Sequence, residues 1–125
     1  MPLSKKAVLI VGHGSKVRGF QAAMEKVARR IKKGGGYFFV GCAYLEITPP
    51  SIGEAIEGCA RKAADRIFIL PYFLLKGRHT QSDIPRIVRQ ARKKYSGKVK
   101  VHLCQYLGYH EKIVEVVRKR IRETR

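Results

Sequence analysis

The stretch 7-AVLIVGHGSK-16 sets an unbroken apolar run, Ala7 to Val11, directly against Gly12, His13, Gly14 and Ser15. A short, continuous apolar run rich in β-branched residues reads as a strand buried on both faces, as strands of a parallel sheet are. Glycine has no Cβ, so the two glycines allow a tight turn and close approach by another group. The histidine between them ends the strand on a side chain that titrates near neutral pH and ligates metals.

Outward from this stretch, helical and strand patterns alternate. Phe20, Met24, Val27 and Ile31 recur at helical spacing between Val17 and Lys33, and 34-GGG-36 stops that helix. Residues 37–45, YFFVGCAYL, read as a second strand. In 46-EITPPS-51, Thr48 is placed to cap a helix that begins at Pro49 and runs to about Ala64. Asp65 to Leu75, DRIFILPYFLL, reads as a third strand, with Pro71 near its end or at an edge because proline cannot donate to a ladder. In the polar loop 76-KGRHTQSDIP-85, Thr80 and Asp83 resemble a capping box, with Ser82 as the alternative cap. Ile84, Ile87, Val88 and Ala91 stripe the next helix, Val99 to Leu107 reads as a fourth strand, and Ile113, Val116, Val117 and Ile121 line a last helix.

This order, without linker, repeat or low-complexity segment, implies one domain over residues 1–125 of the α/β class. Its expected architecture is a small doubly wound, mainly parallel four-stranded sheet of flavodoxin-like form, with helices on both faces and right-handed crossovers.

The chain has 125 residues, with 27 Lys and Arg against 9 Asp and Glu, a net charge of +18. Such a field attracts polyanions, whether nucleic acid or a small ligand carrying many carboxylates. The aromatic residues Tyr37, Phe38, Phe39 and Phe68 lie in strand-like runs, which disfavours a nucleic-acid stacking surface. A basic α/β module that binds RNA or another polyanion without catalysis is the competing reading. No apolar run reaches membrane-spanning length. The N-terminal MPLSKKAVLIVG is basic and then apolar, but it ends in Gly-His-Gly rather than a cleavage site, so a cytoplasmic location is expected. Cys42, Cys59 and Cys104 form no C-x-x-C pair and read as core cysteines of a reducing compartment.

The element order carries three polar residues to one rim. His13 follows the first strand, Glu46 follows the second, and His79 lies in the loop after the third, with Gly12, Gly14 and Gly77 nearby. In a doubly wound sheet ligands bind beyond the carboxyl ends of the strands, where strand order reverses. Two imidazoles and a carboxylate there can hold a divalent metal or move protons; the plainer alternative is that each caps a turn or lies solvated. His102, inside the fourth strand, and His110, at the start of the last helix, carry less. A phosphate-cradling G-x-G-x-x-G fails, since the glycine after Gly14 is Gly19. Gly12 stands where a phosphohistidine phosphatase would carry arginine, and Ser15 is out of frame for a G-x-S-x-G elbow.

Together, LIVGHGSK, YLEITPPSIGEAI and ILPYFLLKGRHTQSDIPRIV resemble the small class II chelatases, the short archaeal sirohydrochlorin chelatases of CbiX type, over nearly the whole chain. The resemblance implies insertion of Co²⁺, and in some members Ni²⁺, into the tetrapyrrole sirohydrochlorin, toward cobalamin or coenzyme F430. The metal is then a substrate, with no permanently bound cofactor, and the protein a homodimer. By position, His13 matches the family's first-strand histidine, a metal ligand and proton acceptor, His79 its second metal-binding histidine, and Glu46 its acidic residue at the cleft. Phe73, Leu74, Leu75, Lys76, Gly77 and Arg78 match the stretch that lines the macrocycle. The histidine-rich insert that some relatives carry before the last strand has no counterpart in 89-RQARKKYSGKVKV-101.

Overall fold

The computed structural model describes residues 4–124, so the first three residues of the basic N-terminal stretch lie outside it. Strands β1 (Lys6–Gly12), β2 (Phe39–Tyr44), β3 (Arg66–Pro71) and β4 (Lys100–Leu103) form a parallel sheet in the order β2-β1-β3-β4. They alternate with helices α1 (Ala22–Gly35), α2 (Ile52–Arg61), α3 (Ile84–Lys94) and α4 (Glu111–Glu123). This is the doubly wound α/β architecture expected from the alternation. The sequence runs from β1 outward to β2, then crosses back to β3, so the order reverses between β1 and β3.

Burial explains why β1 is central. Its Ala7, Leu9 and Val11 join Ile67 and Ile69 of β3 under α2 and α3, which contribute Ile52, Ile56, Cys59, Ile84 and Val88. On the other face Val8 and Ile10 meet Met24 and Ala28 of α1. Fully burying each of the Val, Leu and Ile side chains among them is worth about 1.5–3 kcal/mol. All three cysteines are free, and burial pushes the Cys59 thiol up to about 11, which makes it an inert core group.

The element ends differ from the periodicity for local reasons. Helix α1 starts at Ala22 rather than Val17, because Ser15 Oγ accepts the Val17 N–H at 3.0 Å and Gly19 takes φ 79°. Gly36, at φ 72°, closes it. Strand β2 is shorter than 37–45, and α2 ends at Arg61, with Ala63 at φ 65°. Ser51, not Thr48, caps α2, in a reciprocal box with Glu54 at 3.1 and 2.9 Å. Strand β3 ends at Pro71, not Leu75, and β4 at Leu103, not Leu107. Neither Thr80, Asp83 nor Ser82 caps α3; the helical path starts earlier, in a π-type turn over His79–Asp83, and the Thr80 hydroxyl instead bonds the Gly77 backbone. Helix α4 carries the expected apolar stripe, but none of its described residues is buried: Val116 and Val117 are each 51% exposed and Ile121 67%.

The turns after β1 and β2 are laced together. Leu45 and Glu46 donate their N–H groups to the carbonyls of Gly12 and His13, both at 3.0 Å. Thr48 Oγ1 accepts the Ser15 N–H at 3.2 Å and donates to the Ser15 carbonyl at 3.1 Å. Gly14, at φ 103°, lies so close to the Glu46 carbonyl that a Cβ there would overlap the oxygen. Gly14→Ala is therefore expected to cost about 2 kcal/mol or more in urea unfolding. Gly19→Ala, also at positive φ but facing open space, is expected to cost nearer 1 kcal/mol. Equal losses for the two variants would mean that the close approach to Glu46 carries no weight.

Candidate functional site

Because β1 and β3 are neighbours and the strand order reverses between them, their carboxyl ends bring the segments that follow side by side. His13 follows directly on β1, and His79 opens the π-type turn beyond β3. Their rings meet edge to face, with centroids 4.7 Å apart. Glu46, carried to the same place by the laced turns, puts Oε1 2.6 Å from His13 Nε2. Phe73 packs at a tilt on His79, with ring centroids 5.9 Å apart. The three polar residues that the element order places on one rim do converge.

Each histidine leans on a different carboxylate. His79 Nδ1 lies 2.9 Å from Asp83 Oδ2, and Asp83 is itself 3.7 Å from Arg86 Nη2. A carboxylate only accepts, so in the neutral rings the proton sits on Nε2 of His13 and on Nδ1 of His79. That leaves His13 Nδ1 and His79 Nε2 with their lone pairs and, among the described residues, without hydrogen-bond partners. Two imidazoles, each bonded to a carboxylate through one nitrogen, could each offer the other nitrogen to a metal ion. Among the described residues no group of three or more His, Cys, Asp or Glu side chains forms a ready metal cage. Such a pair leaves coordination positions open, as a site that passes its metal on must.

Asp83 is the residue that sequence reasoning missed as a site group. Its signal was the i, i+4 spacing from His79, which faces the two together only if the helical path already includes His79. The remaining rim residues lie as the strand end dictates. Phe73 is half-buried, whereas Leu74 and Leu75 are 53% and 81% exposed, and Lys76, Gly77 and Arg78 are exposed. Gly108 N–H bonds the Phe73 carbonyl at 3.2 Å, which brings Tyr109, 79% exposed, to the same rim. His13 and Glu46 are reached by solvent, their side chains 46% and 59% exposed; a groove of about 550 Å³ between α1 and β2, lined by Arg29, Cys42 and Tyr44 among others, includes neither histidine.

The other two histidines lie elsewhere. His102 stacks on Phe68 at 4.9 Å and accepts from Arg66 Nε at 3.2 Å. Burial, and then the cations Arg66, Arg92 and Lys100, push it below the usual histidine range. His110 caps α4 by accepting the Lys112 N–H on Nδ1 at 3.1 Å.

With this geometry in place, known proteins are informative. The chain is 35% identical to the chloroplastic sirohydrochlorin ferrochelatase of Arabidopsis thaliana over 91% of its own length and 50% of that protein. It is 34% identical to a sirohydrochlorin cobaltochelatase of Saccharolobus solfataricus, over 94% of both chains. The sirohydrochlorin chelatase SirB from Bacillus subtilis subspecies spizizenii, solved in complex with cobalt, superposes with a TM-score of 0.86 at 28% identity. That match covers 95% of this chain and 50% of SirB. This chain thus spans half the length of the plant and Bacillus relatives and nearly all of the archaeal one. The family model described as CbiX matches residues 7–124, from the first strand to the last helix; the chain belongs to the CbiX family.

Proposed function

We propose that this protein inserts Co²⁺ into sirohydrochlorin, releasing the two pyrrole protons of the metal-free ring. The observation that carries the reading is the meeting of His13 and His79 at 4.7 Å, each with one unbonded ring nitrogen. The choice of cobalt rests on the cobaltochelatase match that covers 94% of both chains. Insertion exchanges two N–H protons for one dication among four nitrogens, so the protein must hold the ion loosely and accept protons. His13 Nδ1 and His79 Nε2 would hold the ion. As the metal passes to the ring, either imidazole is a competent base for a departing pyrrole proton. Glu46, 2.6 Å from His13 Nε2 and largely exposed, can stabilise the imidazolium that forms and pass its proton to water. Asp83 holds His79 in one tautomer throughout.

Sirohydrochlorin is an apolar ring edged with carboxylates. Phe73, Leu74 and Leu75 suit the ring, and Lys76 and Arg78 suit its anionic edge, with Gly77 giving the loop close approach. The +18 charge would speed encounter with such a substrate, less so at high salt. The free thiols and the absence, among the described residues, of a helix long and apolar enough to cross a membrane suit a cytoplasmic enzyme.

A second copy would complete the cleft. Helix α4 presents Val116, Val117 and Ile121 to solvent, and Phe68, Leu70 and His102 on the α1 face of β3 and β4 are only partly buried. An exposed apolar helix face and an incompletely covered strip of sheet favour a homodimer.

Mixing sirohydrochlorin with Co²⁺ and following the macrocycle absorbance tests the reaction. His13→Ala and His79→Ala are each expected to slow insertion about 100-fold; wild-type rates in both would refute the assignment. Sedimentation tests the assembly. The wild type is expected to be a dimer that Val117→Asp converts to monomer, and a monomeric wild type at micromolar concentration would overturn that part.

A further inference from the structure

We propose that Ile47 is a substrate-contacting residue, held out over the site by a strained turn so that its side chain forms an apolar ledge for the face of the tetrapyrrole. This inference rests on the tetrapyrrole reading above. Thr48 N–H closes back on the Glu46 carbonyl at 2.7 Å, with Ile47 between them at φ 68°. A three-residue turn whose central residue has positive φ is rare and strained, and a β-branched residue is the worst choice for it. Glycine or asparagine would hold the same turn more easily.

Packing does not explain the choice. Ile47 is 58% exposed, so its side chain adds little to the core. Nor can the backbone relax, because both neighbours are tied. Glu46 N–H is bonded to the His13 carbonyl, and Thr48 Oγ1 is bonded to both the N–H and the carbonyl of Ser15. The surroundings therefore fix an unfavourable conformation whose visible result is a large apolar group held out in solvent next to Glu46. Strain kept at such a place points to function. The Glu46 carboxylate reaches His13, the His13 ring meets His79, and His79 meets Phe73; Ile47 follows Glu46 in the chain at one end of this line of contacts, and Leu74 and Leu75 follow Phe73 at the other. A flat macrocycle lying over the histidine pair would touch apolar groups from both sides of the sheet's switch point.

The test uses the full-length protein and metal-free sirohydrochlorin, with binding read from its fluorescence and stability from thermal unfolding. Ile47→Gly is expected to unfold at the wild-type temperature or above, since the strain is relieved, and to bind the macrocycle roughly fivefold or more weakly. Ile47→Leu, which keeps the apolar bulk, is expected to bind within about twofold of wild type. Unchanged affinity in Ile47→Gly, with the wild type binding, would overturn the ledge and leave the chelatase reading standing. A clear fall in unfolding temperature would make Ile47 a packing residue, and dissociation of the dimer would make it a subunit contact; either overturns the ledge. No binding by the wild type would remove the chelatase reading and the ledge with it.

Discussion

The carbonyl of Glu46 occupies the space that a side chain on residue 14 would fill. That contact, together with the Glu46 and Leu45 N–H bonds to the His13 and Gly12 carbonyls, joins the turn after β1 to the turn after β2. This junction accounts for a histidine set between two glycines. Gly12 lets the strand end close against Met24, Gly14 lets a second backbone pass, and His13 is left at the surface with its Nε2 against the Glu46 carboxylate. Without that close approach the two turns would part, and His13 would lose the group that fixes its tautomer.

The second histidine is positioned by different means. His79 sits at the start of the helical path leading into α3, where the wider π-type turn and the Thr80 hydroxyl on the Gly77 backbone set the chain's entry. Asp83, one turn on, holds its Nδ1. One imidazole is thus fixed by a neighbouring loop and the other by its own helix, and the two meet only because β1 and β3 are adjacent. His13, Glu46 and His79 all keep solvent access at this rim, their side chains 46%, 59% and 35% exposed.

Much of this was legible in the residues. The five-residue apolar run of β1, with helical spacing on either side of later strands, fixes a parallel sheet, and the sheet alone carries His13, Glu46 and His79 to one edge. What escaped was decided by contacts between segments distant in sequence. Thr48 looks like a helix cap beside two prolines, yet it spends its hydroxyl on Ser15, and Ser51 takes the cap because Glu54 lies three residues on. Thr80 and Asp83 look like a capping box, whereas the helical path had already begun at His79. The strained Ile47 has no sequence signature at all: nothing in Glu-Ile-Thr announces a positive φ, which arises from the anchoring of both neighbours. Helix α4 shows the limit of periodicity, since its apolar stripe reads as buried and lies in solvent.

The central claim is that His13 and His79 share one divalent ion. Cobalt K-edge X-ray absorption of the protein loaded with one equivalent of Co²⁺ addresses it directly, because imidazole rings give a characteristic multiple-scattering pattern that can be counted. Two imidazoles per cobalt are predicted, falling to one in His13→Ala and one in His79→Ala. A count of two that survives either substitution, or cobalt bound with no imidazole at all, would contradict the account.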